Sequence, residues 1–399
     1  MPWLAWIKRV VFLIVLIGLI GAANKAMNRW RRETSALNAK VLELRSEAAN
    51  HHDPEVAAEW MREADAREAS VASLASVRWG RVAASAFFYA LGLLPSGWVL
   101  YRCLNGFSVE CSLPRAVAAQ LIGHAGKYIP GKAMVVFLRV DAVLPIAGKG
   151  KPVAAAATGN TTNHDEGEKL SGKPRPVGRV VTCVFFETLL MMGVGGAVAG
   201  CLLWNSSLPT WVRWCAAGMA VGSMIPLCPP VLRRLLGFIA ARRKRKGPGI
   251  FNDEKVSEKI NTSEGNDASA EETFGSPITW GLLAECSLCN LLSWLLIGFS
   301  FAVLITAIPS FDPQPPMQVI APMATASIAL GMVIGFASLL PGGAGVREYV
   351  TLLVLVPLIG ETQALLAVIA ARLMFIVVEA ILAAMSALFL RTLKPSFRG

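Results

Sequence analysis

Five stretches of this chain run for 19 to 34 residues without a charged side chain: Val82 to Tyr101, Thr188 to Val212, Trp214 to Leu232, Cys286 to Phe311 and Pro313 to Val346. A helix needs roughly 20 apolar residues to cross about 30 Å of hydrocarbon, and lipid obliges backbone polar groups to be satisfied within the spanning structure. With 54% hydrophobic and only 16% charged residues, the chain lacks the polar surface to cover a water-soluble globule of 399 residues. The expected fold is all-α, a polytopic helical membrane protein.

The net charge of +11 does not point to nucleic acid. The basic residues cluster beside the apolar runs and carry no interleaved aromatic platform for bases to stack on. They read as topology signals. Seven Lys or Arg and no acid lie between Arg233 and Lys246, and the tail carries Arg391, Lys394 and Arg398, again without an acid, which places both segments in the cytoplasm. The segment 308–319 has only Asp312 and is expected outside. The expectation is an integral, multi-pass protein of the inner (cytoplasmic) membrane with a cytoplasmic C-terminus.

Residues 1–23 form the expected first transmembrane helix, because Trp3 to Ile7 extend the apolar segment Val10 to Ala23 beyond a signal-peptide core and supply interfacial anchors. Residues 24–78 mix nine basic and nine acidic residues with Ala and Leu, contain no Gly and one Pro, and read as a polar helical insert. Residues 79–399 form the main transmembrane domain, with polar, Gly- and Pro-rich loops at 141–179 and 233–276. Cysteines lie in or beside apolar runs, where they act as small core residues, and the single Cys286/Cys289 pair lacks a partner pair for metal or redox chemistry. His51, His52 and His164 sit in charged segments as exposed sequence. Gly196/Gly200, Gly218/Gly222 and Gly331/Gly335 have the spacing that lets membrane helices approach closely.

Two apolar segments are broken where a helix is expected to continue. One runs from Gly123-His124-Ala125 through Lys127, Tyr128, Pro130, Gly131 and Lys132 to Arg139. The other runs from Gly335-Phe336-Ala337 through Pro341, Gly342, Gly343 and Gly345 to Arg347 and Glu348. Each pairs a Gly-x-Ala start with a Pro-Gly break, one in each half of the chain, which predicts two re-entrant or broken helices in inverted halves with a site between them. The freed amides of a half-helix start attract anions, and Lys127, Lys132, Arg139 and Arg347 add positive charge, the chemistry that holds a phosphate.

These residues resemble the transmembrane region of the lysylphosphatidylglycerol synthases, a flippase-like domain family. Lys127, Tyr128, Pro130, Gly131 and Arg139 match its first signature. Pro341, Gly342, Gly343, Gly345, Arg347 and Glu348 match its PGGxGxRE signature, and Arg372 matches a basic residue of the following helix. The chain departs from the pattern at Glu187-Thr188, where Glu-Arg is frequent, and in the size of the insert after the first helix. The resemblance implies a domain that handles lipids; with the sequence ending at Gly399, synthesis by a soluble aminoacyl-transferase domain is not expected.

The expected function is binding and translocation of an anionic phospholipid or polyprenyl-linked lipid. Lys127, Arg139, Arg347 and Arg372 would hold phosphate, and Glu187, Glu348 and Glu379 would balance charge or carry protons. A membrane-embedded head-group or glycosyl transferase is the rival reading, but no HExxH, DxD or Ser-His-Asp arrangement nominates a catalytic group. A non-transporting scaffold for the cell envelope is the third, and the protein partners expected are envelope-biosynthesis enzymes or further copies of the chain in a homo-oligomer. No cofactor or metal is expected. If 113–139 enters and leaves on the cytoplasmic side, residues 24–78 lie outside; a spanning segment would place them inside, which suits Lys25, Arg29, Arg31 and Arg32. The polar residues Arg115, Gln120, His124, Lys127 and Lys132 leave too little apolar length for a span, which favours the hairpin.

Overall fold

The computed structural model describes residues 2–70, 77–128, 133–144, 176–204, 206, 210–225, 230–231, 279–309, 314–338, 343 and 345–392. Among these there is no strand. In chain order the helices are α1 (Pro2–Asn50), α2 (Pro54–Ser70), α3 (Trp79–Gly106), α4 (Leu113–Ala125), α5 (Ala133–Val143), α6 (Val177–Trp204), α7 (Thr210–Met224), α8 (Trp280–Ala307), α9 (Met317–Ala337), α10 (Val346–Ile359) and α11 (Glu361–Thr392). Helices α3, α6, α8, α9 and α11 are long and apolar enough to span a membrane.

The charge-free runs locate α3, α8 and α9 but misjudge two others. The run Thr188 to Val212 is not one helix: α6 begins at Val177, carries Glu187 in its interior and ends at Trp204, and α7 starts at Thr210. No run marked α11, because Arg372 and Glu379 lie within its 32 residues. Helix α1 continues unbroken from the apolar segment into the polar one, and α2 packs back on it through Val41, Leu44 and Ala64 and the bonds of Arg45 to Asp65 (3.1 Å) and Glu68.

Small and hydroxylated side chains hold the long helices close, as expected where lipid offers no hydrophobic drive between them. Ser85 and Ser300 exchange bonds between α3 and α8, Ser293 donates to the Gly92 carbonyl, and Trp294 Nε1 donates to the Met191 carbonyl of α6 at 3.0 Å. Gly331 and Gly335 face the start of α10, whereas none of the described residues lies within 4 Å of where a side chain at Gly218 or Gly222 would project.

The two ends of the bundle are identifiable. At one end the Arg78 amide donates to the Ala307 carbonyl (3.0 Å), Arg81 to Thr306 (3.0 Å) and Gln363 to Ile305 (3.5 Å), which brings the starts of α3 and α11 beside the end of α8. The polar part of α1 joins them there: Arg29 pairs with Glu361, and Thr362 donates to Glu33 at 3.2 Å. A cavity of about 420 Å³ lies between α1 and the α10–α11 turn. The other end holds the C-terminal half of α3 and the N-terminal half of α8.

Helices α4 and α5, 13 and 11 residues long, reach roughly 20 and 16 Å and cannot cross the bilayer. They pack on each other; α4 begins in the core at the far end with Ala116, and α5 finishes in the same core at Val143 and Leu144. Helix α10, 14 residues long, ends at Ile359 in the cavity beside α1, which Pro309, shortly before the start of α9 at Met317, also lines. The two broken pairs, α4–α5 and α9–α10, therefore open to opposite ends of the bundle. Cysteines introduced as Asn50→Cys and Pro309→Cys are expected to react with a membrane-impermeant thiol reagent from one and the same side. Labelling of the two from opposite sides would contradict this arrangement.

Candidate functional site

The half-length helices meet at mid-depth. Arg347 is twelve residues from Ile359 on α10, and Arg372 eleven from Glu361 on α11, so each lies roughly 17 Å along its helix from the near end. His124 is eleven residues from Leu113 on α4, roughly the same distance from the far end. In a hydrocarbon layer of about 30 Å, all three fall near the middle.

The turn into α10 requires glycine. Gly343 has φ +64° and Gly345 φ +83°, left-handed values that a residue with a Cβ rarely adopts, and a Cβ on Gly343 would stand 2.9 Å from the Cα of Gly335. Gly345 caps α10, and Glu348 reaches back from the third position to accept from the Gly345 amide at 2.7 Å. Gly343→Val is therefore expected to fail in two ways, by backbone strain and by collision with α9. Its yield and thermal midpoint in detergent should fall well below those of wild type, and an unchanged midpoint would remove the shape requirement.

The other carboxylate oxygen of Glu348 lies 3.7 Å from Arg347 Nη2 and 3.7 Å from Arg372 Nε. Arg347 and Glu348, though adjacent in sequence, come within salt-bridge range but beyond hydrogen-bond length. Both arginines are largely buried and make further interactions besides this one. With Phe301, Ile328, Thr351 and Phe375 they line a cavity of about 20 Å³, room for about one water.

One helical turn along α11, Phe375 stacks on Tyr89 of α3 with ring centroids 3.9 Å apart. Tyr89 donates to Glu379 Oε1 at 2.5 Å, and Lys127, in the 3₁₀ turn after α4, donates to the same oxygen at 2.8 Å. Lys127 also feels the charges of Arg347 and Arg139. On the α4–α5 side, Arg139 Nη1 pairs with Glu187 Oε2 at 2.7 Å, and Gln120 donates to the other carboxylate oxygen at 2.9 Å; all three residues are buried. The Arg139 side chain lies against the backbone of Gly123, where a Cβ would collide with it.

Lys127, Arg139, Glu187, Arg347, Glu348, Arg372 and Glu379 thus come together in one polar core, linked through shared carboxylates and neighbouring charges. Pro130, Gly131, Lys132, Pro341 and Gly342 lie outside the described residues, as does the side chain of Tyr128. Sequence reasoning missed Tyr89, which lies in a charge-free run with no motif around it, and it noted Gln120 and His124 only as polar residues that shorten a helix. Glu285 is remote from this core and is held by both prongs of Arg102 and by Trp98.

Glu348 Oε1, Glu379 Oε2, Arg139 Nε, Gln120 Oε1 and both ring nitrogens of His124 are buried without a hydrogen-bond partner among the described residues. Buried polar atoms are satisfied in roughly nine cases of ten. Several unsatisfied ones around one set of charges mark a place where a polar ligand or water belongs.

The family described as lysylphosphatidylglycerol synthase TM region matches residues 72–383, and the chain belongs to it. No curated protein matches the chain.

Proposed function

Taking that membership as premise, we propose that this integral membrane protein binds an anionic phospholipid or polyprenyl-linked lipid by its phosphate and moves it across the inner membrane. The observation that carries this reading is the charge balance of the polar core, which among the described residues holds four cations, Lys127, Arg139, Arg347 and Arg372, and three carboxylates, Glu187, Glu348 and Glu379. Charges at mid-depth in lipid are costly and are kept for substrates, ions or gating. An excess of cations favours an anion, and two guanidinium forks from separate helices beside a half-helix start suit a phosphate.

Arg347 and Arg372 form the head-group site in this reading. Lys127 contributes charge from the α4 side, and Arg139 braces the α4–α5 hairpin through Glu187. The cavity of about 20 Å³ is smaller than a phosphate, so loading requires the helices around it to part, as alternating access between opposed half-helices does. The C-terminus is cytoplasmic, in keeping with its acid-free basic tail, the α4–α5 pair is re-entrant from that side, and the α1–α2 hairpin, at the opposite end of the bundle, is extracytoplasmic despite Lys25, Arg29, Arg31 and Arg32.

The test is reconstitution into vesicles with a head-group-labelled fluorescent phosphatidylglycerol or phosphatidylcholine, followed by quenching of the outer leaflet. Wild type is expected to move the anionic probe and to discriminate against the zwitterionic one. Movement no faster than in protein-free vesicles, or equal movement of both probes, would overturn the reading.

A further inference from the structure

We propose that the protein takes up a proton together with the anionic head group, and that His124 is the residue that binds it; the inference rests on the anion reading above. His124 lies in the last turn of α4 and is 3% exposed, yet neither Nδ1 nor Nε2 has a hydrogen-bond partner among the described residues. A histidine retained only for packing ordinarily bonds through at least one ring nitrogen.

The groups acting on it come from every side. Lys127 follows on its own segment, Arg139 projects from α5 and Glu379 from α11. Tyr89 of α3 reaches the same Glu379 oxygen that Lys127 holds. Beyond Lys127 lies Arg347 of α10, and beyond Arg139 lies Glu187 of α6. Among the described residues the imidazole therefore faces two cations and one carboxylate, and that carboxylate is already engaged by Lys127 and Tyr89.

A further positive charge here has no counter-charge until an anion arrives. A phosphate bound at Arg347 and Arg372 supplies it, so protonation of His124 and occupancy by the head group favour each other, and by linkage the effect is reciprocal. The proton step forms one N–H bond, with the proton drawn from water on the loading side and returned to water on release. A monoanionic phosphodiester moving with one proton carries no net charge across the membrane.

Binding of short-chain phosphatidylglycerol to the purified full chain at pH 6 and pH 8 tests this, with vesicle transport as a second readout. Wild type is expected to bind about tenfold more tightly at pH 6, and its transport should respond to an imposed pH gradient and not to a potassium-diffusion potential. His124→Gln, which keeps hydrogen-bonding capacity but takes up no proton, should bind equally at both pH values, lose the response to the pH gradient and gain sensitivity to potential. If His124→Gln retains the tenfold pH effect while Arg347→Ala abolishes binding, the proton inference fails and the anion reading survives. If Arg347→Ala binds the lipid as wild type does at both pH values, or wild type binds none at either, the anion reading fails and this inference with it.

Discussion

Arg347→Ala is expected to lower the rate of anionic lipid movement by roughly a hundredfold while leaving the protein folded. Each charge-assisted hydrogen bond to a phosphate contributes about 1.5–3 kcal/mol, and loss of a two-pronged contact removes at least that much from binding. The guanidinium lies 3.7 Å from Glu348 Oε1, outside hydrogen-bond length, and the carboxylate keeps its 2.7 Å bond from the Gly345 amide without it. The cap of α10 therefore survives the substitution, and the thermal midpoint should move far less than in Gly343→Val. Arg347→Lys retains the charge without the planar fork and should be partly active. Arg372→Ala should resemble Arg347→Ala, and because both arginines address one phosphate, the double variant should lose less than the sum of the single losses. Transport that persists in Arg347→Ala, or a midpoint that falls as far as in Gly343→Val, would assign the arginine to the fold.

How much of this core was legible in the sequence follows from which signals are local. Charge-free length finds α3, α8 and α9 because crossing a membrane is a one-dimensional demand on composition. The same criterion misses α11, since Arg372 and Glu379 are tolerated there only because α10 and the α4 turn bring Glu348 and Lys127 to meet them. The Pro-Gly breaks mark where the backbone must leave the helix, a local requirement as well, and they lead to Lys127 and Arg347. Which cation meets which carboxylate is not local. Arg139 finds Glu187 across 48 positions, and Lys127 finds Glu379 across 252. Tyr89 is the extreme case: only the stacking with Phe375 and the bond to Glu379 reveal it. Arg139, read from its motif as a phosphate ligand, pairs with Glu187 at 2.7 Å, and in the reading proposed above it serves as a brace.

That brace predicts the largest stability effect. Arg139 and Glu187 have side chains only 6% and 1% exposed, and they pair at 2.7 Å while Gln120 satisfies the second carboxylate oxygen. Removing one member of a buried pair leaves the other as an uncompensated charge, which costs about 3–5 kcal/mol, whereas replacing both with apolar residues of similar volume is often neutral. The ion pairs on the polar hairpin are different in kind. Arg29–Glu33 is 49% and 36% exposed, and water and salt screen pairs of that sort until little of their attraction is left. Arg139→Ala and Glu187→Ala are each expected to lower the thermal midpoint sharply and to expose the α4–α5 hairpin to proteolysis. Arg29→Ala should change neither readout measurably. The combined Arg139→Met, Glu187→Leu variant should recover most of the lost stability, because the bare charge is gone and the space beside Gly123 stays filled. If the fold alone needs this pair, the recovered variant also transports; if Arg139 touches the lipid phosphate, it folds but moves no lipid.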